Sequence, residues 1–373
     1  MRSLRARWLQ AVLGCLALLT AAACGPDQKT SKERAASETL GLDIAPTAAP
    51  RATPTPLATP TPGKVQTPGP RTPVPALQAS SKFTWRKAAA APTSRTEVSV
   101  AALGDTVYAA GGLVAGGGPT KAFEAYDAEA DKWRKLPDLP VAVHHAGLVA
   151  VDGRLIIVGG HTTPGQSTDK VFGWKPGDPG WTELAKLPLA RGAAAVAAMS
   201  GRIHVVSGAS NGGEVLTGRH DVMDVDQNIW TTSGELPEPR DHLAAAPLGS
   251  QLWVVGGRKL TLESNTNRVD IYDGNTGNWS RGADMPTARG GLTATIWGSR
   301  LFVLGGEEPK GTIAAVEWYD PQGKQWRKAP GLPTPRHGLG AAGLESGDLV
   351  TVAGGTRPGL HPSSVVERLT AGG

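Results

Sequence analysis

Five arginines recur at matching positions along the chain, each in a proline-containing segment such as Leu236-Pro-Glu-Pro-Arg240. They are Arg95, Arg191, Arg240, Arg289 and Arg336, and a sixth matching position holds Val143. Guanidinium groups that converge bind carboxylates well, because each donates a fork of hydrogen bonds. The pattern predicts a site for an acidic ligand. The alternative is a bracing role, in which each arginine binds backbone carbonyls or a nearby aspartate.

Histidines cluster beside these arginine positions. The polar residues there are His144, His145, Asp241, His242 and His337. Imidazole acts as a general base and as a metal ligand near neutral pH. The chain nevertheless lacks His-x-x-His spacing, and two other repeats carry only glycine or alanine at the matching positions. We therefore expect His145, His242 and His337 to join the arginines in ligand binding, with no metal, no cofactor and unknown catalytic residues.

These residues belong to a repeat of 47 to 49 residues, marked by a small-residue doublet and a later tryptophan. The doublets are Gly111-Gly112, Gly159-Gly160, Ser207-Gly208, Gly256-Gly257, Gly305-Gly306 and Gly354-Gly355. The tryptophans are Trp85, Trp133, Trp181, Trp230, Trp279 and Trp326. A period near 50 built on short strands is typical of a β-propeller. The repeat predicts an all-β fold with six blades.

Each repeat reads as four antiparallel strands. The first two form a hairpin, as at Asp152-Gly153, where a two-residue turn separates apolar runs. The third and fourth carry a large side chain each, such as Tyr126 and Trp133, to fill the gap between blades. The last repeat has no fourth strand, so we expect the strand around Trp85 to complete it. The first strands then surround a central channel, and the arginines lie at one mouth of it.

The doublets, the spaced aromatic residues and the four-stranded period resemble the kelch family over residues 82 to 369. The resemblance implies a six-bladed propeller. It leaves function open, because kelch propellers serve both as binding modules and as enzymes. It also implies that arginines at this junction contact acidic ligands or partners.

Three functions fit these residues. The first is a binding module for an acidic glycan, peptide or protein segment at the channel mouth. The second is a carbohydrate-active enzyme that resembles bacterial sialic-acid epimerases, with His242 or His337 as the base. Galactose-oxidase-like copper enzymes need a cysteine, which the domain lacks. The third is a structural scaffold of the cell envelope, in which substitutions at the channel mouth would not change the function.

The first 80 residues predict that the protein is exported, and they do not predict a folded domain. Residues 1–23 combine three arginines with an apolar stretch and resemble a signal peptide, and the small residues before Cys24 resemble a lipobox. We expect Cys24 to be acylated and the protein to be anchored outside a membrane by lipid alone. The alternative is secretion after ordinary cleavage. Residues 24–80 are rich in proline and threonine and predict a disordered linker, which leaves 81–373 for the propeller.

Charge and cysteine content exclude other classes. The chain has 38 basic and 33 acidic residues, but nine basic and four acidic ones precede residue 82. The propeller is therefore formally neutral, which argues against nucleic-acid binding. Its segment has no cysteine, so disulfides and thiol chemistry are excluded there. We expect a monomer.

Overall fold

Residues 82–162 and 166–372 are described by a computed structural model. They form a six-bladed β-propeller, as the repeat predicts. The signal segment, Cys24 and the linker lie outside the described residues. Within the described ranges no helix is long and apolar enough to cross a bilayer.

Each blade is a four-stranded antiparallel sheet whose first strand lines the channel and whose fourth strand is outermost. Blade 1 is Ser99–Leu103, Thr106–Ala110, Phe123–Asp127 and Lys132–Lys135. Blade 2 is Gly147–Val151, Arg154–Val158, Val171–Trp174 and Thr182–Glu183. Blade 3 is Ala195–Met199, Arg202–Val206, His220–Asp224 and Ile229–Ser233. Blade 4 is Ala244–Leu248, Gln251–Val255, Val269–Asp273 and Trp279–Arg281.

The remaining two blades follow the same order. Blade 5 is Thr293–Trp297, Arg300–Leu304, Val316–Asp320 and Gln325–Ala329. Blade 6 is Gly340–Gly343, Asp348–Gly355, Pro362–Gly372 and Lys82–Lys87. Short hairpins extend three of the loops between second and third strands: His161–Thr162 with Gln166–Ser167, Ala209–Ser210 with Val215–Leu216, and Glu307–Glu308 with Gly311–Thr312. Two 3-10 turns lie at Asn211–Gly213 and Leu262–Ser264.

The N-terminal strand closes the propeller, as predicted. Lys82–Lys87 pairs antiparallel with the last strand, and Trp85 lies opposite Leu369. The Nε1 group of Trp85 donates to the carbonyl of Pro330 at 2.8 Å. The same tryptophan-to-carbonyl bond to the preceding blade recurs at Trp133, Trp181, Trp230, Trp279 and Trp326. The interface that closes the propeller therefore has the same hydrogen bond as the other five interfaces.

Apolar clusters fill the interfaces between blades. Between blades 1 and 2, for example, Phe123 packs against Trp174 and Trp181, with ring centroids 5.0 and 4.8 Å apart. The predicted aromatic pair of the third and fourth strands is present as well, with Tyr126 5.2 Å from Trp133 and Tyr272 5.3 Å from Trp279. Burial of these rings supplies much of the force that holds neighbouring blades together.

The doublets join each blade to the next. In blade 5 the N–H of Gly306 donates to the carbonyl of Arg336 at 2.9 Å. Gly305 has a φ of 66°, and a Cβ there would lie 2.5 Å from that same carbonyl oxygen. This first position also accepts a side chain, as at Ser207 of blade 3, whereas the second position is glycine in every blade and has a φ between 94° and 120°. In blade 6 the doublet falls at Ala353-Gly354 rather than the expected Gly354-Gly355, because a bulge shifts the strand register between Val352 and Gly354.

Candidate functional site

The five repeated arginines are buried, each at most 1% exposed. Each pairs with a carboxylate from the third strand of its own blade. The pairs are Arg95 with Glu124, Arg191 with Asp221 at 2.9 Å, Arg240 with Asp270 at 2.9 Å, Arg289 with Glu317 at 2.5 Å and Arg336 with Glu367 at 2.7 Å. The guanidinium groups are thus already occupied by the protein's own acids.

The same arginines also satisfy backbone carbonyls. The Nη1 group of Arg289 donates to Gly305 at 3.1 Å and to Ala315 at 2.7 Å. Arg336 does the same for Ala353 and Val365. Buried carbonyls without a partner are costly, so these contacts hold the start of the blade to its second and third strands. The geometry supports the bracing alternative for the arginines.

Blade 2 shows that the pair behaves as a unit. Val143 occupies the arginine position, and the matching third-strand position holds Phe172 instead of a carboxylate. Both side chains are buried in one apolar cluster. A buried charge without its partner is unfavourable, whereas two apolar side chains of suitable size are tolerated. The charge pair and the apolar pair are therefore alternative solutions to the same packing problem.

The residue two positions after each repeated arginine, or after Val143, lies at the mouth of the channel. The six residues there form an inner ring: Glu97, His145, Ala193, His242, Gly291 and Gly338. All six have φ between 49° and 66°. Their backbones link around the axis, for example from His145 N–H to the Glu97 carbonyl at 3.3 Å and from His242 N–H to the Ala193 carbonyl at 2.9 Å. Blades 5 and 6 use glycine, the residue that adopts this conformation most easily.

Three inner-ring positions carry ionisable side chains despite that conformation. Glu97, His145 and His242 project into the mouth, with side chains 10–16% exposed. Residues other than glycine in the left-handed region often mark functional sites. Gly338 makes room for one of them, because a Cβ there would lie 2.3 Å from Oε1 of Glu97.

Seven polar side chains connect into a closed circuit around the mouth, which we name the polar circuit. Its contacts are Glu97–His145 at 3.1 Å, His145–His242 at 3.0 Å, His242–Asp241 at 2.5 Å, Asp241–Arg258 at 3.8 Å, Arg258–Glu307 at 2.8 Å, Glu307–His337 at 3.5 Å and His337–Glu97 at 3.2 Å. Its members come from five blades. The structure thus brings the predicted His145, His242 and His337 together, but not with the five arginines.

Two further histidines flank the circuit. Nδ1 of His144 contacts Nδ1 of His145, and the ring of His144 lies 5.5 Å from that of His161. The hydroxyl of Ser167 lies 3.1 Å from Nδ1 of His161. Burial lowers the pKa of His144, and burial together with the neighbouring His144 lowers the pKa of His161 to about 4. Both rings are therefore neutral at physiological pH.

The circuit has a polarised charge distribution. Burial opposes ionisation of Glu97, but the surrounding His145 and His337 hold its pKa well below its usual range. Burial lowers the pKa of His145 well below its usual range, which Glu97 only partly offsets. Burial also acts on His337, yet contact with Glu97 and Glu307 outweighs it and raises the pKa of that imidazole. Glu97 is thus an ionised carboxylate beside a neutral imidazole on one side and a more basic one on the other.

Below the mouth the channel becomes apolar. A cavity of about 100 Å³ lies at the inner ring, where Glu97, His145 and His242 line it together with the next residues along the chain, which are apolar and include Val98, Leu243, Leu292 and Leu339. Farther along, small residues of the first strands line the channel, which matches the expectation of crowding near the axis. The chemistry is therefore confined to the mouth.

A second cleft, of about 380 Å³, lies between blades 3 and 4, at the opposite end from the mouth. His204, Tyr272 and Ser233 line it. Burial lowers the pKa of His204 to about 4 and that of its neighbour His220 to about 3. The residues that line this cleft include no carboxylate. The mouth is the better candidate site, because it combines carboxylates, imidazoles and a guanidinium in one connected group.

Sequence reasoning missed Glu97, Arg258 and Glu307. Glu97 was detectable, because it replaces glycine at the repeat position shared with Gly291 and Gly338. Arg258 and Glu307 directly follow the small-residue doublets of blades 4 and 5. Each of these two pairs with the residue that follows an arginine in its own blade, Asp241 or Gly290.

Comparison with protein families agrees with this geometry. Two models of the Kelch motif match residues 94–140 and 142–188, and the model of the KLHDC2/KLHL20/DRC7 Kelch-repeats domain matches residues 192–367. The propeller is built of kelch repeats. The matched segments correspond to blade 1, blade 2 and the larger part of blades 3 to 6. Kelch propellers commonly serve as protein-interaction modules.

Comparison with solved structures supports the same fold. The structure of YjhT superposes with a TM-score of 0.65 at 18% sequence identity, over 74% of this chain and 95% of that chain. At this identity the likeness concerns architecture alone. No curated protein matches the chain. The function of the kelch propeller must therefore be inferred from its own residues.

Proposed function

We propose that this kelch propeller is a binding module whose ligand docks at the mouth and reaches the polar circuit. The observation that carries the proposal is the circuit itself, in which seven partly or fully buried polar residues from five blades converge. Such convergence is unnecessary for blade packing, since blade 3 closes its part of the mouth with Gly192 and Ala193 alone. Convergent polar groups at a cavity that is otherwise lined by apolar side chains are typical of ligand sites.

The loops around the mouth favour a ligand that is larger than the channel opening. Among the described residues, four large hydrophobic side chains are notably exposed. Three of them, Val215, Leu260 and Leu360, lie on loops between second and third strands at this face, and the fourth, Ile229, begins an outer strand. Exposed apolar side chains around a polar centre suit a peptide or protein segment, or a glycan with apolar faces.

An acidic ligand is still the class we propose, but for a different physical reason. The arginine ring does not support it, because those guanidinium groups bind internal carboxylates. At the mouth, an anion would contact Arg258 and the basic His337. Three carboxylates nearby, Glu97, Asp241 and Glu307, oppose an anion unless a further positive charge lies between them.

The test is a calorimetric binding screen of the full chain against acidic oligosaccharides and acidic peptides. We expect a ligand that binds the parent and loses at least tenfold in affinity in Arg258→Met. The control is Arg281→Met, an exposed arginine on the outer strand of blade 4, which should bind normally. Equal binding by both variants would remove the mouth as the site.

A carbohydrate-active enzyme is the second candidate, favoured by the carboxylate–imidazole contact between Asp241 and His242 at 2.5 Å. A carboxylate that orients imidazole in this way prepares it as a general base. Turnover of acidic sugars, followed by proton exchange in NMR spectra, tests it. Activity that vanishes in His242→Asn would establish the enzyme, and binding without turnover would leave the binding module.

We also propose that the protein is exported and anchored through acylated Cys24, with secretion as the alternative. The support is the sequence of residues 1–24 alone. Mass spectrometry of the mature N-terminus tests this proposal. A diacylglyceryl group on Cys24 is expected, and an unmodified terminus would indicate secretion.

A further inference from the structure

Three side chains of the inner ring present ligand atoms to one point in the mouth. The Nε2 atom of His145 lies 3.1 Å from a carboxylate oxygen of Glu97 and 3.0 Å from Nε2 of His242. All three atoms lie within 4.8 Å of one another. A tetrahedral zinc ion with bonds of about 2.0–2.2 Å holds neighbouring ligand atoms about 3.3 Å apart. The two separations that involve His145, 3.1 and 3.0 Å, are close to that requirement.

We propose that Glu97, His145 and His242 bind a divalent transition-metal ion of the zinc type, with an open coordination position that faces the mouth. Two imidazoles and one carboxylate form a ligand set that zinc uses when it keeps a position free for water or substrate. The proposal departs from the sequence-based expectation of no metal. That expectation considered spacing along the chain, whereas these ligands come from blades 1, 2 and 4.

Proton positions in the circuit support a cation at this point. The contact with the carboxylate of Asp241 places a proton on Nδ1 of His242, so a neutral His242 turns the lone pair of Nε2 toward His145. Nε2 of His145 then faces two acceptors at once, this lone pair and the carboxylate of Glu97. A shared proton lies along one of these contacts at a time, whereas a metal ion binds all three atoms.

The surroundings resemble the outer contacts of metal sites. Metal-bound histidines usually donate their other ring N–H to a carboxylate, which fixes the ring, and Asp241 does this for His242. The N–H of Leu260 in turn holds Asp241 at 2.8 Å. The second carboxylate oxygen of Glu97 lies 3.2 Å from Nδ1 of His337, which leaves the first oxygen for the ion.

The local balance of charged side chains also favours a cation. The polar circuit contains three carboxylates and one guanidinium. A bound ion would supply the positive charge that an acidic ligand needs at this mouth, and in that respect the inference rests on the proposed function.

The experiment uses the full chain, stripped with a chelator and then titrated with Zn²⁺ and separately with Co²⁺. We expect one equivalent of zinc by elemental analysis, and visible absorption bands of four- or five-coordinate cobalt. Glu97→Gln and His242→Gln should each weaken zinc binding at least 100-fold. Asp241→Asn keeps the three ligands and should weaken it by about 10- to 100-fold, as for other residues that orient a ligand.

The matched control is His361→Gln, an exposed histidine of a mouth loop outside the circuit, which should bind zinc like the parent. If a ligand variant folds poorly, the melting temperature of the parent must still rise with added zinc. No equivalent of zinc in the parent, or equal losses in His361→Gln and Glu97→Gln, overturns the inference and indicates a proton network. Ligand binding without zinc would overturn the metal site but keep the binding module. Zinc binding without binding of any acidic ligand would keep the metal site and overturn the binding module.

Discussion

Replacing the buried pair Arg289–Glu317 singly and together tests whether the arginine ring braces the blades. Both side chains are fully buried, and Arg289 also serves the carbonyls of Gly305 and Ala315. Removing one partner leaves the other charge uncompensated, which costs about 3–5 kcal/mol. We therefore expect Arg289→Val and Glu317→Phe each to lose that much free energy of unfolding.

The double variant reproduces what blade 2 has naturally with Val143 and Phe172. Replacing a buried ion pair by apolar residues is often nearly neutral, so the combined loss should stay below about 2 kcal/mol. The coupling energy is then at least about 4 kcal/mol, above the roughly 0.5–3 kcal/mol found for most residues in contact.

Urea denaturation followed by tryptophan fluorescence measures these values. The control is Arg281→Val, whose pair with Asp284 is 43% exposed on each side and should contribute less than about 1 kcal/mol. Single losses as small as this control, or additive single losses in the double variant, would refute the bracing role.

Three further predictions concern stability. Burial lowers the pKa of His204 to about 4, below the unfolded value of about 6.5, so the stabilisation is complete above pH 6.5 and is lost as pH falls toward 4. Its size is at most about 3 kcal/mol. His204→Phe, which copies Phe302 of blade 5, should flatten the unfolding free energy measured from pH 7 to 4.5, and an unchanged slope would contradict this. Trp85→Phe and Trp230→Phe should each lose about 1 kcal/mol in urea denaturation, because both remove one equivalent bond to the preceding blade; a far larger loss at Trp85 alone would show that closure is special. Ala193→Gly should stabilise by about 0.5–1 kcal/mol, because Ala193 has a φ of 49°. Ala197→Gly on the adjacent strand is the control and should destabilise, and the same sign in both variants would exclude backbone strain at the inner ring.

Much of the fold was predictable because the same packing contacts recur in every repeat and require the same residue types. The tryptophans bind the preceding blade, and the second residue of each doublet is a glycine at a point where a Cβ would lie too close to a carbonyl oxygen, so both recur at each interface. The register error at Ala353-Gly354 arose from a bulge, which leaves no distinct signal in a glycine-rich segment.

The site was less predictable because its contacts join residues from different blades. The mouth histidines could be grouped from their shared repeat position, but their contacts with Asp241, Glu307 and one another depend on side-chain direction. The arginine pairing did leave a signal. An acidic residue lies 28 to 31 residues after each ring arginine, and it is missing only in the blade that also lacks the arginine.

The most direct test of the metal site at the mouth is anomalous diffraction at the zinc absorption edge from crystals of the full chain grown with zinc. The proposed metal site predicts one strong peak about 2.0–2.2 Å from Nε2 of His145, Nε2 of His242 and a carboxylate oxygen of Glu97. The absence of a peak there, or a peak only at surface residues, would contradict it.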